Sequence, residues 1–312
     1  MKKISFVIPC YKSEDTIENV VEEIQEEVKK LALDYEIFLI DDCSPDNQFE
    51  LFLRMAAKDR RIKIISFAKN FGQHAGMMAG LRAADGDCVV ILDDDGQCPM
   101  DYLESLVRPI DEGYDAVFAQ YGRQKQSAFK NLCSDIHVVV TNLLTEKPKN
   151  IQMTNFIALS RTAVDEIKKY SGPYPIISGL IFRTLKRVKN VPMPERERAS
   201  GSTTYNLRRL FELWLNTVTA FSIKPLRVSS LLGGVFAFIG LIVAVVVIIK
   251  KILNPAITIG WTSTISIILV IGGMILFVLG VIGEYIGRIY MSINNTPQYV
   301  VKETYNTDIS RL

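Results

Sequence analysis

Apolar positions in the first part of the chain come in short continuous runs, separated by segments of helical spacing. Residues 4–8 (I-S-F-V-I) form such a run, stopped by Pro9, and predict a buried strand. Ile17, Val20, Val21, Ile24, Val28 and Leu31 then recur at helical spacing with Glu and Lys between them. Residues 35–40 predict a second strand ending at Asp41-Asp42, residues 48–59 a second helix and Ile62–Phe67 a third strand. Residues 76–84 read as a short third helix, 88–92 as a fourth strand and 115–119 as a fifth. Strand and helix alternate with crossovers of the length that parallel pairing requires, so the pattern predicts a doubly wound α/β domain. Beyond it, 127–144 reads as helical, 155–159 as a strand, 161–169 and 176–185 as helices, and Val188–Met193 as a strand.

The pattern changes again towards the C-terminus. Residues 228–249 and 252–283 contain no charged residue, and each exceeds the ~18–20 residues that cross a bilayer. They predict two transmembrane helices, about 228–249 and about 262–283. Two such runs side by side fit the alternative, buried core helices of a soluble protein, poorly. Before them, Leu207, Leu210, Phe211, Trp214 and Leu215 share a helical spacing, with Arg208 and Arg209 on other faces. That predicts an amphipathic helix lying in the membrane interface, with an ordinary packed surface helix as the alternative. The basic residues from Arg183 to Arg209 would attract anionic membrane lipids at ~1 kcal/mol per charge. The expected organisation is a catalytic domain over 1–204, a juxtamembrane helix over 205–227, the two spans over 228–283 and a cytoplasmic tail over 284–312. The apolar stretch at 4–8 is too short for a signal peptide, so the first domain is expected in the cytoplasm. Arg208, Arg209, Lys224, Arg227 and Arg288 agree with that orientation, whereas Lys250 and Lys251 run against it.

Composition narrows the chemistry. A net charge of +2 gives no bulk attraction to nucleic acid. Five scattered cysteines without a C-x-x-C pair favour reduced thiols over disulfides or zinc. His74 and His137 are the only histidines, too few for His-based metal sites, and such a residue is more often structural than catalytic.

Candidate chemistry gathers at the strand ends. The fourth strand runs into Asp93, Asp94 and Asp95, then Gly96 and Gln97. Carboxylates there lie at the carboxyl edge of the sheet, where open α/β sheets bind ligands. Alternation lets Asp93 and Asp95 point one way and Asp94 another. Two hard oxygen donors with Gln97 nearby suit Mg2+ or Mn2+ shared with substrate phosphates. Taken alone, the stretch reads equally as a solvated acidic turn. No G-x-G-x-x-G follows the first strand, which argues against a dinucleotide cofactor.

I-S-F-V-I-P-C-Y, I-D-D-C-S-P-D, N-F-G-Q-H-A-G, D-D-D-G-Q, R-x-x-G-S-T-T-Y and G-E-Y-I-G-R-I-Y occur in that order. Together they resemble the family 2 GT-A glycosyltransferases that load a sugar onto a polyisoprenyl phosphate, over about 3–301. The resemblance implies a GT-A nucleotide-sugar-binding domain with a mostly parallel sheet, and transfer from a UDP-sugar to undecaprenyl phosphate. GDP-mannose with dolichyl phosphate is the alternative substrate pair, and a non-catalytic membrane scaffold the alternative class. It further implies that Pro9, Tyr11 and Glu14 form the first nucleotide-binding loop and that Asp41 or Asp42 reads the nucleobase. Asp93, Asp95 and Gln97 would hold Mg2+ or Mn2+, with Asp94 and Tyr205 touching substrate. Arg123 would lie near the acceptor and Arg198 would grip phosphate. The chain departs from the family at Cys98, Met100, Asn155 and Thr204. Where some relatives carry a carboxylate near position 155, this chain has an amide, in keeping with an acceptor phosphate that needs no base. Gly283 and Gly287 suit close helix contact, in line with the homo-oligomers common in the family.

Overall fold

The computed structural model describes residues 3–122, 151–194, 196, 224–253, 260–294 and 296–308. Among these are two compact units: a sheet domain that runs to residue 196 and resumes at 296, and a helical unit between them.

The sheet domain follows the predicted alternation closely. It begins β1 (Lys3–Cys10), α1 (Ile17–Lys30), β2 (Asp34–Asp41), α2 (Gln48–Lys58), β3 (Ile62–Phe67), α3 (Gln73–Ala83) and β4 (Cys88–Ile91). A 3-10 turn (Met100–Tyr102) leads into α4 (Leu103–Asp111), which carries Pro109, and then β5 (Ala116–Tyr121). β6 (Ile157–Ser160), α5 (Arg161–Ile167), α6 (Ile177–Thr184) and β7 (Val188–Met193) complete the first pass. α4 has no counterpart in the sequence reading. The predicted helix over 127–144 and the juxtamembrane helix over 205–227 lie outside the described residues.

β3, β2, β1 and β4 pair in parallel. β6 inserts antiparallel between β4 and β5, and β5 pairs with β7 in parallel. β1 is buried on both faces, which explains its continuous apolar run. Ile4, Phe6 and Ile8 pack towards Ile17, Val21, Ile24 and Phe52, while Val7 packs on the other face with Met77, Met78 and Leu81.

α3 lies unusually close to β1. A Cβ on Gly80 would fall far inside van der Waals contact with Val7, and one on Gly76 would sit 3.0 Å from the Pro9 side chain. That approach sets the first turn of α3 beside the ends of β1 and β4.

The helical unit holds α7 (Lys224–Leu253) and α8 (Trp261–Ile293). Among the described residues, one segment is long and apolar enough to cross a membrane: Val270–Ile293, with mean hydropathy 2.0 and no buried residue. Ser229–Val243 in α7 is a shorter apolar stretch. The apolar segment of α8 thus ends ten residues beyond the predicted span, 293 against 283. It reaches past Glu284 and Arg288, which pair one turn apart (2.8 Å). The expected tail over 284–312 needs a matching correction. α8 runs on to Ile293, and β8 (Val301–Tyr305) is an edge strand antiparallel to β3. Tyr299 stacks on Phe67 with centroids 5.1 Å apart. Asn306 Nδ2 donates to the carbonyls of Ala56 and Ile62, each at 3.0 Å.

Candidate active site at the carboxyl edge of the sheet

Three loops meet where β1, β2 and β4 end. The loop after β1 is tied to the loop after β2 through Gln48, the buried first residue of α2. Gln48 Oε1 accepts from the Ser13 N–H (3.0 Å) and hydroxyl (2.9 Å), and its Nε2 donates to Asp41 Oδ1 (2.7 Å) and to the Cys10 carbonyl (3.3 Å). Lys12 N–H donates to Ser44 Oγ (2.8 Å), and Glu14 Oε2 accepts from Asn47 N–H (3.1 Å). Lys12 (φ 60°) and Cys43 (φ 53°) both adopt the left-handed conformation that side chains disfavour. Backbone strain in the ligand-facing loops is common at functional sites.

The same loop is fastened to β4. Tyr11 N–H donates to Asp94 Oδ2 (3.0 Å), and Thr16 Oγ1 donates to the Asp94 carbonyl (2.6 Å). Asp94 therefore points into the protein. Burial pushes its carboxyl up to about 6, against the Tyr11 bond, and neighbouring Asp93 adds to the rise. Asp93 is held by side-chain amides from elsewhere in the chain. Gln73 Nε2 donates to its Oδ1, and Asn155 Nδ2 lies 3.2 Å from each of its oxygens. Asp95 accepts from the Gln97 N–H (3.1 Å), closing a local turn. The Gln97 side chain donates to the Arg196 carbonyl (3.2 Å). Arg196 in turn pairs with Glu23 and Asp101. Cys98 is buried, and burial, reinforced by Asp93, pushes its thiol up to about 12, so it stays neutral.

Asp41 and Asp42 sit at the end of β2 as expected, but both are buried and turned to protein donors. Asp41 accepts from Gln48, from Ser44 N–H and from Ser66 Oγ (2.7 Å). Asp42 accepts from the N–H groups of Phe71 (2.6 Å) and Gly72 (2.8 Å), fixing the loop that opens α3. Pro9 lies against α3 but does not stop β1, which runs one residue further to Cys10, and the Tyr11 side chain is exposed. Arg123, Arg198 and Tyr205 lie outside the described residues. The structure adds Gln73, Asn155 and Gln48 to the site. In the sequence, Gln73 was signalled by the N-F-G-Q-H-A-G motif and Asn155 as a departure from the family pattern, whereas Gln48 carried no signal.

Beside Asn155 lies a cavity of about 70 Å³ lined by His74, Met77, Met153, Ile157 and Ile177 among others. His74 Nδ1 is buried there without a hydrogen-bond partner among the described residues. Burial pushes the imidazole down to about 4, so it is neutral at pH 7.

Asp93 and Asp95 fit a divalent cation of the Mg2+ or Mn2+ kind, which prefers oxygen donors. Among the described residues no group of three or more Asp, Glu, His or Cys side chains forms a metal cage. Cations of this kind commonly complete their shell with substrate phosphates and water.

Residues 5–167 match the family described as Glycosyl transferase family 2. The chain belongs to glycosyl transferase family 2. Residues 224–289 match a second family, described as GtrB C-terminal hairpin. The chain is thus a family 2 glycosyltransferase domain joined to that hairpin. Among relatives of this family 2 chain, undecaprenyl-phosphate 4-deoxy-4-formamido-L-arabinose transferase of Salmonella choleraesuis (strain SC-B67) is 31% identical over 314 residues. That match covers 97% of this chain and 94% of the relative. The uncharacterized glycosyltransferase YkcC of Bacillus subtilis (strain 168) is 30% identical over 309 residues, 99% of this chain and 96% of YkcC. A solved structure of glucosyl-3-phosphoglycerate synthase from Mycobacterium tuberculosis with Mn2+ and UDP-glucose matches with TM-score 0.53. It is 20% identical and covers 70% of this chain and 77% of its own, and the likeness shows the shared GT-A fold.

Proposed function

We propose that the chain transfers a sugar from a nucleotide sugar, UDP-linked, to undecaprenyl phosphate at the cytoplasmic face of a bacterial cell membrane. One observation carries the reading. The Asp93–Asp95 strand end lies in a family 2 domain, and the same chain continues into an apolar hairpin of the GtrB kind. The name of the Salmonella relative supports the acceptor class, and the M. tuberculosis structure supports a UDP-sugar with Mn2+. In this reading residues 1–204 form the catalytic domain, and α7 and α8 both span the bilayer, which tethers the chain to the membrane that holds the lipid phosphate.

Asp93 and Asp95 would hold Mg2+ or Mn2+, and that cation would supply positive charge to offset the charge developing on the leaving nucleoside diphosphate. The loop after β1, with Pro9, Tyr11 and Glu14, forms one wall of the nucleotide site. The loop after β2 forms the other, its shape fixed by Asp41 and Asp42. Arg123 and Arg198 steady the phosphates. The acceptor oxygen belongs to a phosphate monoester, already ionised near pH 7, so the chain needs to position it rather than deprotonate it. Asn155 is consistent with this, since an amide takes no proton. Direct displacement inverts the anomeric centre.

The test incubates membranes containing the protein with undecaprenyl phosphate, Mn2+ and a panel of UDP-sugars, and weighs the lipid product. A glycosylated undecaprenyl phosphate is expected with at least one donor. No product with any UDP-sugar, alongside product from GDP-mannose and dolichyl phosphate, would overturn the substrate assignment.

A further inference from the structure

Two amides from distant parts of the sequence converge on one carboxylate. Gln73, the first residue of α3, donates to Asp93 Oδ1, and Asn155, just before β6, donates to both Asp93 oxygens at 3.2 Å. Gln73 is an exposed side chain. Holding a long glutamine in one conformation costs up to ~2 kcal/mol of entropy, so a solvated one is not fixed without a return. Both donors are neutral. They orient Asp93 without cancelling its charge, where a lysine or arginine would compete with a cation and a carboxylate at 155 would repel Asp93. The reach of Gln73 depends on the close seating of α3 at Gly76 and Gly80.

We propose that Gln73 and Asn155 are positioning residues, a neutral clamp that holds Asp93 ready for a divalent cation and the nucleoside diphosphate it accompanies. This rests on the metal reading given above. Groups that hydrogen-bond a metal ligand typically govern metal affinity by 10–100-fold.

The experiment measures Mn2+ binding to the full-length protein in detergent, with UDP present and no sugar transfer, by the loss of the free Mn2+ paramagnetic resonance signal. The variants are Gln73→Met, which keeps the volume and removes the donor, Asn155→Ala, the pair together, and Asp95→Asn. Each single clamp variant is expected to weaken Mn2+ binding about tenfold at an unchanged thermal midpoint. The pair is expected to lose less than the product of the two, because both act on one carboxylate. Parental affinity in both single variants, with binding lost in Asp95→Asn, would overturn the clamp and leave the metal site standing. Parental affinity in Asp95→Asn would overturn the metal reading and the clamp with it. A lowered thermal midpoint matching the loss of Mn2+ would assign these amides to folding and reject the proposal.

Discussion

Glu36 offers a quantitative test of how the sheet is held together away from the site. It sits in β2 opposite Ser5 of β1 and is 2% exposed. Its carboxylate accepts from Lys3 Nζ (2.8 Å), Lys63 Nζ (2.6 Å), Ser5 Oγ (2.6 Å) and Asp85 N–H (2.9 Å). Burial alone would raise its pKa, but the four donors win and hold it down to about 2, from an ordinary 4.5. A carboxyl displaced that far contributes about 3 kcal/mol at pH 7. Water reaches the Lys3 side chain, which is 30% exposed, so about 2–3 kcal/mol is the expected loss in Glu36→Gln. The sign follows from the downward shift. The contribution is complete above the unfolded-chain value and disappears as pH falls through 4.5 towards 2. Urea unfolding of the full chain in detergent, followed by far-ultraviolet circular dichroism, gives the parent-to-variant gap at each pH. The gap at pH 3 should be less than half the gap at pH 7. An equal gap at both would show that the Glu36→Gln variant fails through packing and that charge is not the stabilising element. Mn2+ binding should be unaffected, because Lys3, Glu36 and Lys63 lie at the end of the strands away from Asp93.

Other substitutions probe the supports of the site and the sheet edge. Gly80→Ala forces α3 off Val7 and should cost about 1–3 kcal/mol while also weakening Mn2+ binding by moving Gln73; a stable variant with parental Mn2+ affinity would refute the tight seating. Tyr299→Ala removes a ring stacked on Phe67 whose hydroxyl accepts from Arg82 (3.2 Å), and should cost about 3 kcal/mol by the same urea assay; a loss below about 1 kcal/mol would mean that the C-terminal segment adds little. His74 should stay neutral down to about pH 4 in histidine NMR, and a midpoint near 6.5 would contradict its burial.

The parallel half of the sheet was legible because strands buried on both faces are mostly apolar, as at Phe6–Ile8 in β1, Ile37–Ile40 in β2 and Ile64–Ile65 in β3. β8 left no such mark. Its sequence V-K-E-T-Y is polar, and only Val301 and Thr304 are half-buried, as suits an edge. α4 was obscured by Pro109, which the helix accommodates near its C-terminal end. The acidic strand ends were legible as chemistry but not as geometry. Alternation set Asp94 apart from Asp93 and Asp95, but only the fold reveals that Asp41, Asp42 and Asp94 are each turned to protein donors. The clamp on Asp93 joins residues 73, 93 and 155, and no local pattern encodes amide contacts over such separations.

The order in which the ribosome delivers these parts has its own consequence. β3 emerges early, yet its outer edge is closed only by β8, which follows α7 and α8 in the chain. Until the apolar hairpin has been synthesised, the nascent sheet carries an open strand edge, the kind of surface that pairs with other chains. In the membrane-spanning arrangement proposed above, handing the hairpin to the membrane promptly shortens that interval. A delay in membrane insertion should therefore surface first as aggregation of the sheet domain, before any loss of catalysis by chains already complete.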